Sequence, residues 1–283
     1  MADPVYINAA ESQSRHPLLV GREILHGFAT SRYTAYRLAL KDIKGAYAKT
    51  SLGLLWDIAD PLMFGAIFYF LVAAGILHPG DMAIPYALFV TYGMLLYLTF
   101  TEALLSALRL FRSSRNLLAH VKIAPEALIL SVFFRVLFNS SFRILVMLGL
   151  TLFMVGSTES GTAGLLMDFS LFLLLYPLLI LSGMAIGILL APFNAIYSDV
   201  DRITSLIIVP LRFATPVFFN ITSAKVLLIN PVAVFIVNLR DVATHQGFYY
   251  PGVLLFWIGV FTVIFCIGTF LFHLAVPVLS ERA

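Results

Sequence analysis

Polar and apolar positions in this chain separate into long blocks instead of alternating over short segments. Six apolar stretches stand out, at residues ~58–77, ~83–106, ~127–155, ~165–191, ~203–219 and ~252–276. A helix needs about 20 apolar residues to cross a bilayer. Backbone polar groups in lipid must be satisfied within the segment, so these stretches predict helices. Strands of a membrane barrel would alternate in polarity, and these do not. The expected fold is an all-α integral membrane protein with six transmembrane helices.

The pattern changes ahead of the first stretch. Tyr33, Tyr36, Leu40, Ile43 and Tyr47 recur at spacings of three and four, with Arg37, Lys41 and Lys44 on the flanks. This predicts a basic amphipathic helix lying in the membrane interface, its cations reaching the head groups. The segment "LGLLWDIADPLMFGAIFYFLVAAGIL" then leads into the first span. Trp56 suits the interface. Asp60 followed by Pro61 reads as a helix start, an acidic N-cap and then proline at the first helical position.

Lys and Arg set the orientation. Seven precede the first span: Arg15, Arg22, Arg32, Arg37, Lys41, Lys44 and Lys49. The loop after span two carries Arg109, Arg112, Arg115 and Lys122, and the loop after span four carries Arg202. The loops after spans one and three carry none, and the tail holds Arg282. Both termini are therefore expected on the cytoplasmic side. Residues 220–251 are external by this count, yet hold Lys225 and Arg240 around the apolar "KVLLINPVAVFIVNLRDV". That connection is expected to form a re-entrant helical hairpin buried against protein, with Pro216 and Pro231 supplying the breaks. The expected organisation is a cytoplasmic tail over 1–21, an interface-helix region over 22–57, a membrane domain over 58–276 and a cytoplasmic tail over 277–283.

Composition sharpens this reading. Charged residues make up 12% of the chain and hydrophobic ones 60%, where a soluble domain carries about 25% charged residues. The single Cys266 excludes an internal disulfide. Residues 1 to 20 have no apolar core of a signal peptide, so the first span is expected in the mature protein. "GAYAKTS" lacks the second glycine of a phosphate-binding loop, whose backbone amides and lysine cradle phosphates. No two of the six His lie four apart, so no metal cluster is expected, and no nucleophile elbow occurs. The chain is not expected to be an enzyme on its own, to hold a cofactor or to bind nucleic acid.

Charges at membrane depth face a cavity or a partner. Arg135, Asn139 and Arg143 lie four apart on one face of span three. Arg135 is close enough to the cytoplasmic end to snorkel. Arg143 is about 12 Å deeper along the helix. It is expected to pair with an acid, Glu102 of span two or Asp168 of span four; binding an anionic lipid-linked phosphate is the alternative. Arg109, Arg112 and Arg115 recur every third residue and share roughly one helical side.

Three blocks carry a resemblance to a known family. "LALKDIKGAYAKTSLGLLWDIADPLMFGAIFYFLV" resembles the start of ABC-2 type exporter permeases of the polysaccharide and polyol-phosphate branch. It contains Lys41-Asp42, Ser51-Leu52-Gly53, Trp56 and Pro61-Leu62 in the family's order. "YSDVDRITSLIIVPLRFATPVFF" and "LLINPVAVFIVNLRDV" are similar to a later helix and to the external hairpin of that family. Ser198 stands where the family usually has Arg, which leaves Asp199 for a contact there.

The resemblance implies a homodimer of six-helix subunits joined to two ATPase subunits, with ATP and magnesium on the ATPase. It implies two short coupling helices, one within ~109–125 and one near 194–202. Arg109, Arg112, Arg115, Asp199, Asp201 and Arg202 would meet the ATPase. Spans one and five line the path in that family, which makes Phe64, Phe68, Tyr69, Phe213, Phe218 and Phe219 path candidates, with Arg135 and Arg143. Aromatic faces suit a sliding sugar polymer. The implied cargo is lipid-linked polysaccharide, capsular before O-antigen or teichoic acid, passed on to periplasmic and outer-membrane export proteins. A small drug or lipid is the alternative cargo. A secondary transporter or a structural membrane subunit without ATP is the alternative of another class.

Overall fold

The computed structural model describes residues 17–47, 53–80, 82–121, 123–155, 162–220 and 223–280. Most of the first tail, Lys49, Ser51, Leu52 and the last three residues lie outside them.

The described residues form helices in the order α1 (Pro17–Thr30), α2 (Arg32–Tyr47), α3 (Gly53–Ala73), α4 (Tyr86–Leu108), α5 (Leu110–His120) and α6 (Pro125–Val155). Next come α7 (Thr162–Ile196), α8 (Asp199–Ala214), α9 (Ala224–Ile229), α10 (Pro231–Ala243) and α11 (Pro251–Ser280). Four stretches are long and apolar enough to cross a membrane: Tyr86–Leu108, Pro125–Leu152, Met167–Ile196 and Pro251–Val276. They coincide with the second, third, fourth and sixth expected spans. The first and fifth expected spans appear as shorter elements, the apolar Ala59–Ala73 of α3 and the 16-residue α8.

Both short elements end for local reasons. Gly75 adopts φ +69°, and the Ile76 N–H returns to the Leu71 carbonyl, closing α3. α8 stops at Ala214 because Pro216 forces Thr215 into extended backbone, at φ −99° and ψ 157°. The start of α3 differs from expectation. The helix begins at Gly53 and runs through Asp60 and Pro61, so Pro61 lies inside it and Asp60 does not cap it. Proline has no N–H to give the carbonyl four residues back, so this helix tolerates a missing hydrogen bond.

α4 is the centre of the bundle, with most of its side chains buried. It packs against α3, α6, α7, α8 and α10. Contact with α7 is closest, and small residues make it so. A Cβ at Gly183 would lie 2.5 Å from the Phe100 carbonyl oxygen, and one at Gly187 2.3 Å from that of Leu104. Ala103 and Ala107 face the two glycines. Apolar burial does not drive helices together in lipid, so close backbone approach through small residues supplies dispersion contact instead.

α2 packs on α6 through Ala35 and Ala39, which are fully buried. Its Tyr33 and Tyr36 stay exposed. The aromatic side of the predicted interface helix is thus turned away from the protein.

Candidate functional site

Three groups of side chains bind the bundle together at one end, at mid-depth and at the other end. At the first end, α4 passes into α5 through Arg109, which ends one helix and precedes the next. Its Nε donates to Asp201 Oδ1 at 2.8 Å, and its Nη2 donates to Ser205 Oγ at 3.3 Å. Asp201 and Asp199 occupy the first turn of α8, where a carboxylate favours the positive end of the helix dipole. Asn194 of α7 donates to the Leu108 carbonyl at 3.0 Å, satisfying a carbonyl left over at the end of α4. Four helix ends, those of α4, α5, α7 and α8, therefore meet at one junction. Arg112, Arg115, Asp199 and Arg202 are exposed around it.

The first expected coupling helix corresponds in position to α5. The second has no helix of its own: residues 194–202 are the end of α7, a break at Tyr197 and Ser198, and the start of α8. Ser198 makes no side-chain cap.

At mid-depth Arg143 pairs with Glu102, Nη2 to Oε2 at 2.7 Å, and donates through Nη1 to Thr99 at 3.2 Å. Asn139 donates to the other Glu102 oxygen at 2.6 Å. Thr99 and Tyr176 share a hydrogen bond at 2.7 Å. The network joins α4, α6 and α7. Arg143 is 3% exposed, and a buried charge needs such a partner. Asp168, the other candidate acid, contacts His245 near the opposite end. Arg135 is not on this network; it pairs with Asp42 of α2 at 3.3 Å.

The third group surrounds the C-terminal end of α8. Phe218 packs with Phe64, Phe68 and Phe213 at ring separations of 6.2, 5.3 and 5.2 Å. Tyr86 of α4 donates to the Phe218 carbonyl at 2.7 Å. Four path candidates are thereby gathered into one cluster, while Tyr69 and Phe219 lie exposed outside it. Lys41 is exposed on α2, Asp60 is exposed on α3, and the Trp56 side chain lies outside the description.

α9 and α10 fill the connection after α8, with six and 13 residues. Asn230 caps α10 by accepting from Val232 and Ala233, and Pro231 sits at its first position. The same Asn230 donates to the Ala214 carbonyl at 2.9 Å. Arg240, ten residues on, is buried; its Nη1 donates to the Pro216 carbonyl at 2.9 Å. Its guanidinium lies over the Phe89 ring at 3.6 Å, and its Nε is 3.4 Å from Asp241. Burial pushes the Asp241 carboxyl up, against the downward pull of Arg240. The two ends of α10 are thus tied to Ala214, the last residue of α8, and to Pro216 just beyond it. A cavity of about 210 Å³ opens beside them, lined in part by Asn220, Arg240, Asp241, Gln246 and Tyr249.

Sequence reasoning did not single out the close α4–α7 seam. Its signal was present as Gly183 and Gly187 four residues apart in an apolar run, opposite Ala103 and Ala107 at the same spacing. The ties of Tyr86 and Tyr97 to the Phe218 and Ile208 carbonyls of the α8 region left no comparable signal.

A comparison with models of known protein families finds no match. Among individual proteins, the chain is 23% identical over 249 residues to a polysialic acid transport protein, KpsM, of Escherichia coli, covering 84% of this chain and 91% of that one. It is 24% identical over 243 residues to the O-antigen export system permease protein RfbA of Klebsiella pneumoniae, covering 81% of this chain and 88% of that one. These likenesses, the three sequence blocks and the all-helical bundle agree with the resemblance to ABC-2 type polysaccharide-exporter permeases.

Proposed function

We propose that this chain is the membrane subunit of an ATP-driven exporter that moves a lipid-linked polysaccharide out across the bacterial inner membrane. The observation that carries this reading is likeness to two named export or transport proteins over nearly their whole length. Capsular polysaccharide is preferred over O-antigen, in line with the polysialic acid relative. ATP and magnesium belong to a separate ATPase. Two copies of the chain and two ATPase subunits form the working unit, which hands its cargo to periplasmic and outer-membrane export proteins.

In this reading all six apolar stretches traverse the bilayer, α3 and α8 included, with both termini cytoplasmic. α8 is about 24 Å long, short of the ~30 Å hydrocarbon core. The residues that follow Ala214 complete its crossing. α9 and α10 form the re-entrant hairpin on the outer side, and the burial of α10 on nearly every side supports that placement.

The mechanism follows from the ties at the two ends of α8. ATP-driven closure of the ATPase subunits pushes on α5 and on the exposed charges Asp199 and Arg202. The Arg109–Asp201 pair passes that displacement to α8 as well as α4. At its far end α8 carries Phe213, and the segment that follows it carries Phe218; Asn230 and Arg240 hold α10 to this end through Ala214 and Pro216. Tilting α8 therefore shifts the aromatic cluster and the hairpin together, which opens the outer mouth. The Glu102–Arg143 network keeps α4 and α6 moving as one body.

Gentle extraction of the tagged chain from its own membrane tests the reading. The expected result is a complex of two 31.3 kDa copies with two ATPase chains, together with loss of surface polysaccharide when the gene is deleted. A stable assembly lacking an ATPase, in a preparation that preserves other ABC complexes, rejects it in favour of a transporter driven without ATP.

A further inference from the structure

A cavity of about 330 Å³ lies where α2, α5 and α6 meet, apart from the aromatic cluster and the α8 junction. Its polar wall presents Lys41, Arg135, Ser113, Ser114 and Ser131, and Asp42 is the one carboxylate among the described residues lining it. Asp42 is already engaged by Arg135 at 3.3 Å, so the wall keeps a net positive charge from Lys41. Leu38, Leu117 and Leu128 make the apolar side. A Cβ added at Gly45 would meet nothing within 4 Å, which leaves the α2 side open. Ser113 and Ser131 donate to the carbonyls of Leu110 and Leu128, and hydroxyl rotation can turn either donor into the cavity.

We infer that this cavity holds the phosphate of an anionic phospholipid head group. Cations and hydroxyls converging beside an apolar wall match a phosphate ester attached to acyl chains, and basic pockets between membrane helices take such head groups. The exposed Tyr33 and Tyr36 on the same helix suit the level where aromatic rings sit in a bilayer. A head group seated there touches α2, α5 and α6 at once. It would hold α5 against the bundle, so the lipid composition would set how firmly the junction transmits force. This regulatory role rests on the exporter reading; the lipid site does not.

The test uses the full chain reconstituted in nanodiscs of phosphatidylglycerol or of phosphatidylcholine, then transferred to detergent for native mass spectrometry. The wild type is expected to retain phosphatidylglycerol in preference to phosphatidylcholine. Lys41→Gln is expected to weaken retention about fivefold, the worth of one basic side chain at a membrane surface, and Lys41→Arg to restore it. Lys41 is exposed, so the variant is expected to fold; Ser131→Ala, which removes a hydroxyl from the inner wall, provides the second loss. Equal retention by wild type and Lys41→Gln overturns the site, as does equal retention of the two lipids. Displacement by millimolar inorganic phosphate, with no lipid carried over, assigns the cavity to free phosphate and also overturns it. A chain that retains phosphatidylglycerol through Lys41 yet recruits no ATPase upholds the lipid site and rejects only the exporter reading.

Discussion

Arg109 and Asp201 stand 92 residues apart in sequence, and their side chains meet at 2.8 Å. The pair joins the point where α4 turns into α5 to the first turn of α8. It is partly exposed on both sides, and such a pair contributes only about 0–1 kcal/mol to stability. Its placement is better suited to carrying displacement than to holding the fold.

Reversing one member therefore separates the two roles. Asp201→Arg is expected to leave the unfolding temperature in detergent within a degree or two, since the pair is worth about 1 kcal/mol at most. It should abolish most export of surface polysaccharide. The exchange Arg109→Asp with Asp201→Arg is expected to recover export. If export stays lost in the exchange variant while both chains reach the membrane, the pair does not transmit motion. Asp199→Lys is the companion test: it should remove substrate-stimulated ATP hydrolysis by the complex without unfolding the subunit.

Glu102 and Arg143 call for the opposite expectation. Removing one member leaves a buried charge without its counter-charge, which costs about 3–5 kcal/mol. Glu102→Leu and Arg143→Met alone should each lower thermal stability strongly. The double variant should be much closer to wild type, because replacing a buried pair by apolar groups is often near neutral. Additive losses in the double variant would show that the two side chains are not coupled.

The α4–α7 seam gives a steric prediction. A methyl group at Gly187 collides with the Leu104 backbone at 2.3 Å, and backbone cannot rotate aside as a side chain would. Gly187→Ala should cost about 1–3 kcal/mol, and Gly187→Val more. Gly149, where a Cβ meets nothing within 4 Å, is the control. Gly149→Ala should be neutral or slightly stabilising, as expected for helix propensity. Thermal unfolding of the three variants checks the order.

Asn230 performs two tasks that can be divided. Asn230→Asp keeps the oxygen that accepts from Val232 and Ala233 but loses the N–H donated to Ala214. Asn230→Ala loses both. The alanine variant should destabilise α10 locally by about 0.5–2 kcal/mol, the usual worth of a cap. Hydrogen exchange at Val232 and Ala233 should rise in Asn230→Ala and stay slow in Asn230→Asp. Exchange at the C-terminal end of α8 should rise in both. Unchanged exchange there in Asn230→Asp would mean the hairpin does not hold α8.

Much of the local architecture was legible without coordinates. The long apolar runs marked α4, α6, α7 and α11, since the cost of a polar backbone in lipid acts on each segment separately. Pro216 and Pro231 marked where α8 stops and α10 begins, because proline restricts its own and its neighbour's dihedrals. The basic flanks and aromatic positions of α2 were read from periodicity alone. Pro61 misled: the Asp-Pro signal is local, and the continuing helix shows that a proline can be carried inside one.

What only the tertiary structure decided is which residues share a depth and face each other across helices. Arg143 had two candidate acids in sequence. The rotation of α4 against α6 chose Glu102, while Asp168 met His245. Six aromatic path candidates were equivalent by composition. Packing around the end of α8 gathered Phe64, Phe68, Phe213 and Phe218 and left Tyr69 and Phe219 outside. Hydropathy is a property of one helix and survives in its sequence. Pairing depends on helix rotation, tilt and the close approach that Gly183 and Gly187 permit, and those are set between segments far apart in the chain.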